Sequence, residues 1–158
     1  MGLELWRGSV PDEWLDYNGH MTEHRYLQVF GESSDALFQR IGVDLANAAE
    51  RAFYTLETRI SHLAECRVRA SLWTATEILA YDEKRLHLYH RLFGSDGKLL
   101  AIGEHLAVHV RHGCVTPAAH EMQNRIAGIY AAMANEPLPE GVGSVLKRPL
   151  AVSRHRGS

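Results

Sequence analysis

Residues 23–41 read EHRYLQVFGESSDALFQRI, and their spacing sets the architecture around them. Tyr26, Phe30, Leu37 and Ile41 recur at intervals of four and seven, so they share one face of an α-helix. Thr22 stands before the run as N-cap, and Gly42 follows it as a stop. The remaining faces carry Val29, Gly31, Ser33, Ser34, Ala36 and Phe38. A helix with so little charge around it is expected to be embraced by other structure on most sides.

Beyond about residue 52 the period shortens to two. Tyr54, Leu56, Thr58 and Ile60 alternate with Thr55, Glu57, Arg59 and Ser61. Val68, Ala70 and Leu72 alternate with Arg67, Arg69 and Ser71 in a run reaching about Tyr81. Leu86, Leu88 and Leu92 alternate with Arg85, His87 and Arg91. In 99–111, Leu100, Ile102, Leu106, Val108 and Val110 share a face, which leaves His105 and His109 on the expected solvated side. Ser95-Asp96-Gly97-Lys98 between two such runs is a hairpin signal, because Asp and Gly tolerate positive φ. Four long strands with short connections predict an antiparallel meander, preceded by a weaker strand near 4–10. Thr116-Pro117 predicts a helix start with Thr as cap, and Met122, Ile126, Ile129, Tyr130 and Met133 form its apolar stripe. The reading is one α+β domain over 1–136, with a Pro/Gly-rich and basic tail over 137–158 whose RHRGS end cannot form a core. Its open strand edges predict a homodimer or a dimer of dimers.

The whole chain has 158 residues, 46% hydrophobic and 23% charged, which suits one globular unit. Lys and Arg total 17 against 19 Asp and Glu, with no basic stripe, so no nucleic-acid partner is expected. No apolar run approaches the ~20 residues of a membrane span, and the first ten residues lack a secretory pattern. A cytoplasmic protein with Cys66 and Cys114 as reduced thiols is the expectation.

The loop Val10-Pro-Asp-Glu-Trp-Leu-Asp16-Tyr-Asn18-Gly-His20-Met-Thr22-Glu-His24 carries the densest chemistry. Asp16, Asn18 and His20 bring a carboxylate, an amide and an imidazole to a helix N-terminus, the parts that acyl transfer needs. The same residue types also suit a plain turn with capping. His20-x-x-Glu23-His24 fits the H-x-x-E-H of zinc peptidases, but Asn18-Gly19 and the Thr22 cap place His20 before the helix. No metal is therefore expected. The chain has no Walker A loop and no Gly-x-Gly-x-x-Gly, which removes nucleotide and nicotinamide cofactors. Glu65, in Ala64-Glu65-Cys66-Arg67 at the first strand corner, is either a solvated turn residue or a second carboxylate of the site.

The order of strand, buried helix, meander and terminal helix resembles the hotdog fold. Asp16-x-Asn18-x-His20 resembles the Asp-x-Asn-x-His signature of plant acyl-ACP thioesterases, in which a Glu before a Cys at the next strand corner completes the site; Glu65-Cys66 stands there. The spacing from Asp16 to Tyr26 is similar to that of 4-hydroxybenzoyl-CoA thioesterase-like proteins. EWLDYNGHMTEHRYLQVFGESSDALFQRIGVD and YDEKRLHLYHRLF resemble the thioesterase family fused to, or encoded beside, L-carnitine dehydrogenase, which hydrolyses betainyl-CoA. The resemblance covers roughly residues 5–135 and includes no dehydrogenase segment, which implies the free-standing form. It implies hydrolysis of an acyl-CoA at a dimer interface, without a cofactor. Asp16 would be general base or nucleophile, Asn18 and His20 the orienting and proton-handling groups, and Glu65 the second carboxylate. Amides from Thr22 to His24 would face the oxyanion. A trimethylammonium head needs aromatic faces or a carboxylate, and Trp14, Tyr17, Phe53 and Tyr54 are the aromatic candidates. Arg59, Arg67, Lys84 and Arg85 are candidates for the CoA phosphates. Another short-chain or aromatic acyl-CoA, or acyl-CoA binding without catalysis, remains as the alternative.

Overall fold

Helix α1 spans Glu23–Arg40 in the computed structural model, which describes residues 2–139, 142 and 152–153. Its ends suit the helix dipole, with Glu23 in the first turn and Arg40 in the last. The chain leaves the helix through Gly42, whose φ of +108° is a left-handed conformation that side chains resist. Tyr26, Phe30, Leu37 and Ile41 are buried as their spacing requires. The helix is nevertheless not embraced on most sides. Leu27, Glu32, Asp35 and Gln39 form an exposed stripe, because the sheet curls around one side only.

Strands β1 (Leu3–Ser9), β2 (Arg51–His62), β3 (Ser71–Tyr81), β4 (Arg85–Gly94) and β5 (Leu99–Arg111) form one antiparallel sheet in the order β1-β3-β4-β5-β2. Short β6 (Cys114–Val115) pairs with β5, and β7 (Val152–Ser153) pairs with β3. The Asp-Gly turn forms between β4 and β5, with Gly97 at φ +78° and the Gly94 N–H donating to the Lys98 carbonyl. Helix α2 (His120–Met133) closes the domain by adding Met122 and Ile126 to the core around Leu37, Phe38 and Leu88. It begins four residues later than Thr116. The Thr116 carbonyl accepts from His109 Nδ1 and the Ala118 N–H donates to Glu83, so this stretch is held extended and Ala119 is the cap.

Apart from Leu100, which packs with Tyr26 and Phe30 in the core, the expected inner face of β5 is its outer one. Ala101, Gly103, His105, Ala107 and His109 face the helix, because they stand opposite Leu92, His90, Leu88, Leu86 and the Phe53 edge of the core. The reason is space. A Cβ on Gly103 would sit 2.6 Å from a ring carbon of Phe30, so α1 approaches too closely for a large residue there. His105 and His109 are each 3% exposed, not solvated. Ile102 points outward with Leu79 and Tyr89, and Leu138 and Val142 pack over them. These are described parts of the expected tail; residues 154–158 lie outside the described residues. In β2 a bulge at Leu56 breaks the expected alternation, so Phe53 faces inward on one side of it and Thr58 on the other.

Flat polar rings fill the narrow gap around Phe30. His90 stacks on it at 5.6 Å, and His105 meets it edge-on at 6.2 Å. Ser34 donates its proton to the Phe30 carbonyl, so its oxygen accepts from His90 Nε2–H. His90 Nδ1 then accepts from Thr76, and Thr58 holds His105 Nδ1 at 3.0 Å. Burial, with His105 beside it, holds His90 well below the ordinary imidazole range, and burial brings His105 down to about 4. Both folded values lie below the unfolded one, so the unfolded chain gains protons first as the pH falls. Stability is therefore complete above pH 6.5 and declines between 6.5 and about 4, by roughly 3 kcal/mol for His105 alone. Melting temperatures measured between pH 7 and pH 4 should fall steadily, and His105→Asn should flatten that slope.

Candidate active site

The loop before α1 is closed by backbone. Leu15 and Met21 bridge, the Asp16 N–H donates to the His20 carbonyl at 2.8 Å, and Gly19 takes the positive φ of +75° that the turn requires. Asp16 Oδ1 accepts from the N–H groups of Asn18, at 2.8 Å, and His20, at 3.2 Å. Asp16 is thus a turn former through one oxygen, while Oδ2 makes no hydrogen bond among the described residues and remains available to chemistry.

The strand corner fastens onto this loop. The Met21 N–H donates to the Cys66 carbonyl, His20 and Arg67 bridge, and Val10 exchanges bonds with Arg69 and Ala70. Residues 66–70 are therefore spent on holding the loop, which is why β3 begins at Ser71 and not near Val68. The result brings His20 Nε2 to 3.2 Å from Glu65 Oε2. The Glu65 side chain is 71% exposed, so this contact orients the imidazole more than it stabilises the fold. Beneath it, the Tyr26 hydroxyl reaches the Ala64 carbonyl and Cys66 Sγ, both at 3.5 Å. Burial raises both the phenol and the thiol above their ordinary values, so Cys66 is an inert thiol here.

Asp16, Asn18, His20 and Glu65 line one cavity of about 370 Å³, together with Glu23, Tyr26 and His62. Glu23 and His62 also line a second cavity of about 550 Å³ between α1 and β2, with Leu27, Thr58 and Ile60. At the opening of α1, the Thr22 N–H is committed to the Trp14 carbonyl. The amides of Glu23 and His24 have no intrahelical acceptor and leave a positive helix end at the cavity wall. His20 lies in the bridge to Arg67, outside α1, so it does not stand one helical turn from His24 as a zinc-peptidase pair would.

The aromatic candidates are not brought together. Trp14 packs against the core with Arg25 over its ring at 5.5 Å, and Tyr17 is 97% exposed. Phe53 is buried between Phe38 and His109, and Tyr54 stands exposed on β2. None of the four lines either cavity. Among the basic candidates, Arg67 sits at the loop, whereas Arg85 is bound by Asp82 at 2.6 Å, Lys84 lies beside Glu83 and Arg59 lines a pocket with Tyr89 and Glu104. Sequence reasoning missed His62 and the clamp made by Tyr26, and it considered Glu23 only as a peptidase base. Their signal is position: the last residue of β2 and the first two turns of α1 flank the loop.

The family model of the thioesterase-like superfamily matches residues 10–142. An L-carnitine dehydrogenase/betainyl-CoA thioesterase of Rhizobium meliloti is 42% identical over 145 residues, covering 89% of this chain and 29% of the relative. The chain thus spans less than a third of that protein's length. A betainyl-CoA thioesterase of Pseudomonas aeruginosa is 36% identical over 152 residues, covering 93% of this chain and 96% of the relative. A crystal structure from Pseudomonas putida KT2440 superposes with a TM-score of 0.81 at 32% identity, covering 95% of this chain and 99% of that one. With a loop bearing a carboxylate, an amide and an imidazole seated at the opening of a helix that a curled antiparallel sheet wraps, the chain belongs to the thioesterase-like superfamily and has its hotdog fold.

Proposed function

We propose that the chain hydrolyses betainyl-CoA to glycine betaine and CoA, acting in the cytoplasm. The observation that carries the reading is the convergence of Asp16, Asn18, His20 and Glu65 on one cavity. It occurs in a chain that aligns over nearly the full length of a betainyl-CoA thioesterase. Asp16 Oδ2 attacks the thioester carbon, expelling the thiolate and leaving an anhydride that a water then hydrolyses, or it deprotonates a water that attacks that carbon directly. Both roles need the ionised oxygen that the turn leaves free. The amides of Glu23 and His24 face the oxyanion. His20, oriented by Glu65, delivers a proton to the departing thiolate, and Asn18 fixes the carbonyl. Because one oxygen of Asp16 also makes the turn, Asp16→Asn keeps the loop and removes the reactive atom. A CoA-release assay should show a loss well beyond tenfold, about 1.4 kcal/mol of barrier, with the melting temperature unchanged.

The cation of the acyl group would be met by carboxylates rather than by an aromatic cage within one chain. Glu23 lines both cavities, and the basic side chains lining them with it are His20, His24 and His62. Betainyl-CoA should therefore be preferred over its uncharged isostere, the 3,3-dimethylbutyryl thioester. Glu23→Gln should reduce the ratio of the two kcat/KM values about threefold, the roughly 0.7 kcal/mol expected of a solvent-screened ion pair. Equal ratios in the two proteins would place charge recognition elsewhere.

A second copy of the chain completes the assembly in this proposal. β2 is the sheet's terminal strand, long and edged by exposed Tyr54 and Leu56, and it lies against the larger cavity. An unpaired edge of that length and apolarity is a pairing surface. Light scattering should give at least twice the 17.7 kDa chain mass, and Leu56→Glu should shift it to one chain with loss of turnover.

A further inference from the structure

Arg51 opens β2 at the end opposite His62, roughly 35 Å along the strand from the Asp16 cavity. It stands directly across from Arg111, the last residue of β5. Like charges in direct register weaken a ladder, and neither guanidinium has an ion-pair partner among the described residues. Both arginines line a cavity of about 180 Å³ with Glu50, His109, Pro117 and Ala119. That is several times the ~30 Å³ share of one liquid water, which suits a small polyatomic ion.

Two further features of this cavity point to a ligand. Ala119 is the N-cap of the 14-residue helix α2, and no side chain caps that end. The first-turn amides and the helix dipole thus offer N–H donors and positive charge beside the arginines. Independently, His109 is 3% exposed and donates Nδ1–H to the Thr116 carbonyl at 2.9 Å, while its Nε2 has no partner. Thr116 Oγ1 is likewise buried without one. Buried polar atoms left unpaired are uncommon, and here His109 lines the cavity beside an uncapped helix and a like-charge pair. The opposing carboxylates are Glu50 in this cavity and Glu121 in the adjoining one, where Arg125 holds Glu121 at 2.7 Å.

We propose that this cavity binds a phosphate group. Arg51 and Arg111 supply the charge, and the opening amides of α2 donate to the terminal oxygens of the phosphate. His109 Nε2, with its other nitrogen already a donor, accepts the proton of a phosphate monoanion. The group comes either as free phosphate or as the 3′-phosphate of CoA. The second source follows if two β2 edges pair antiparallel, which sets Arg51 of one copy beside the His62 end of the other.

Titration calorimetry of the full chain with inorganic phosphate, at ionic strength held constant with chloride, tests the site. Saturable binding is expected, weakened at least fivefold by Arg51→Gln and by Arg111→Gln and unchanged by Lys98→Gln. Without phosphate both arginine variants should melt no lower than the unaltered chain, because the like-charge pair is relieved. CoA binding at least fivefold tighter than 3′-dephospho-CoA, with the difference lost in the double variant, assigns the group to CoA. Equal binding of those two, with phosphate still bound at saturating CoA, assigns it to free phosphate. Absence of saturable phosphate binding, or equal binding by the unaltered chain and both arginine variants, overturns the proposal.

Discussion

The close approach of Phe30 to Gly103 is the contact from which the rest of the structure follows. With α1 seated that low on the sheet, β5 has room only for small residues and flat rings on its inner face. Ala101 and Ala107 meet the first demand, and His105 meets the second with His90 of β4 beside it. Rings with two nitrogens bring polarity into the core, and the helix answers with Ser33 and Ser34. Ser33 accepts from Thr74 as Ser34 accepts from His90, because each serine has already given its own proton to its helix. The two serines, Thr74, Thr76 and His90 therefore have fixed donor directions, and the core tolerates them because each of these bonds has its complement, whereas His105 Nε2 is buried without one.

Much of this was legible in the residues, where one physical preference acted alone. The four-and-seven spacing of α1 survives because one face meets the sheet, and Asp96-Gly97 turns the chain because no larger force competes with its backbone preference. The errors fall where two demands collide. Alternation in β5 identifies its apolar side, but the helix claims the small side and leaves Ile102 to Leu138 and Val142. Val68 looked like strand, yet residues 66–70 serve the loop before α1. Thr116-Pro117 looked like a cap, but the Thr116 carbonyl is taken by His109. In each case a tertiary partner overrode a sound local signal.

The candidate site shows the same division. Asp16, Asn18 and His20 were visible because their spacing is local, and Glu65 because it stands at a strand corner. Trp14, Tyr17, Phe53 and Tyr54 were selected by proximity in sequence, and the strand direction separates them: Phe53 and Tyr54 begin β2, whereas the cavity lies at its end. The cavity wall itself is built from the carboxylates of Asp16, Glu23 and Glu65, with His20 and His62 among them.

The fastening of the loop to the strand corner has a consequence for how such a protein can change. Met21 to Cys66, Asp16 to His20 and Val10 to Ala70 are all main-chain bonds, so the spacing of the reactive groups owes little to the identity of the surrounding side chains. Leu27 and Ile60, by contrast, line the larger cavity and make none of those bonds. Machinery and mould are thus separately heritable. Exchanges at those two positions can reshape the larger cavity without disturbing the frame that holds Asp16, so the shape of what is accepted can drift while the loop stays as it is.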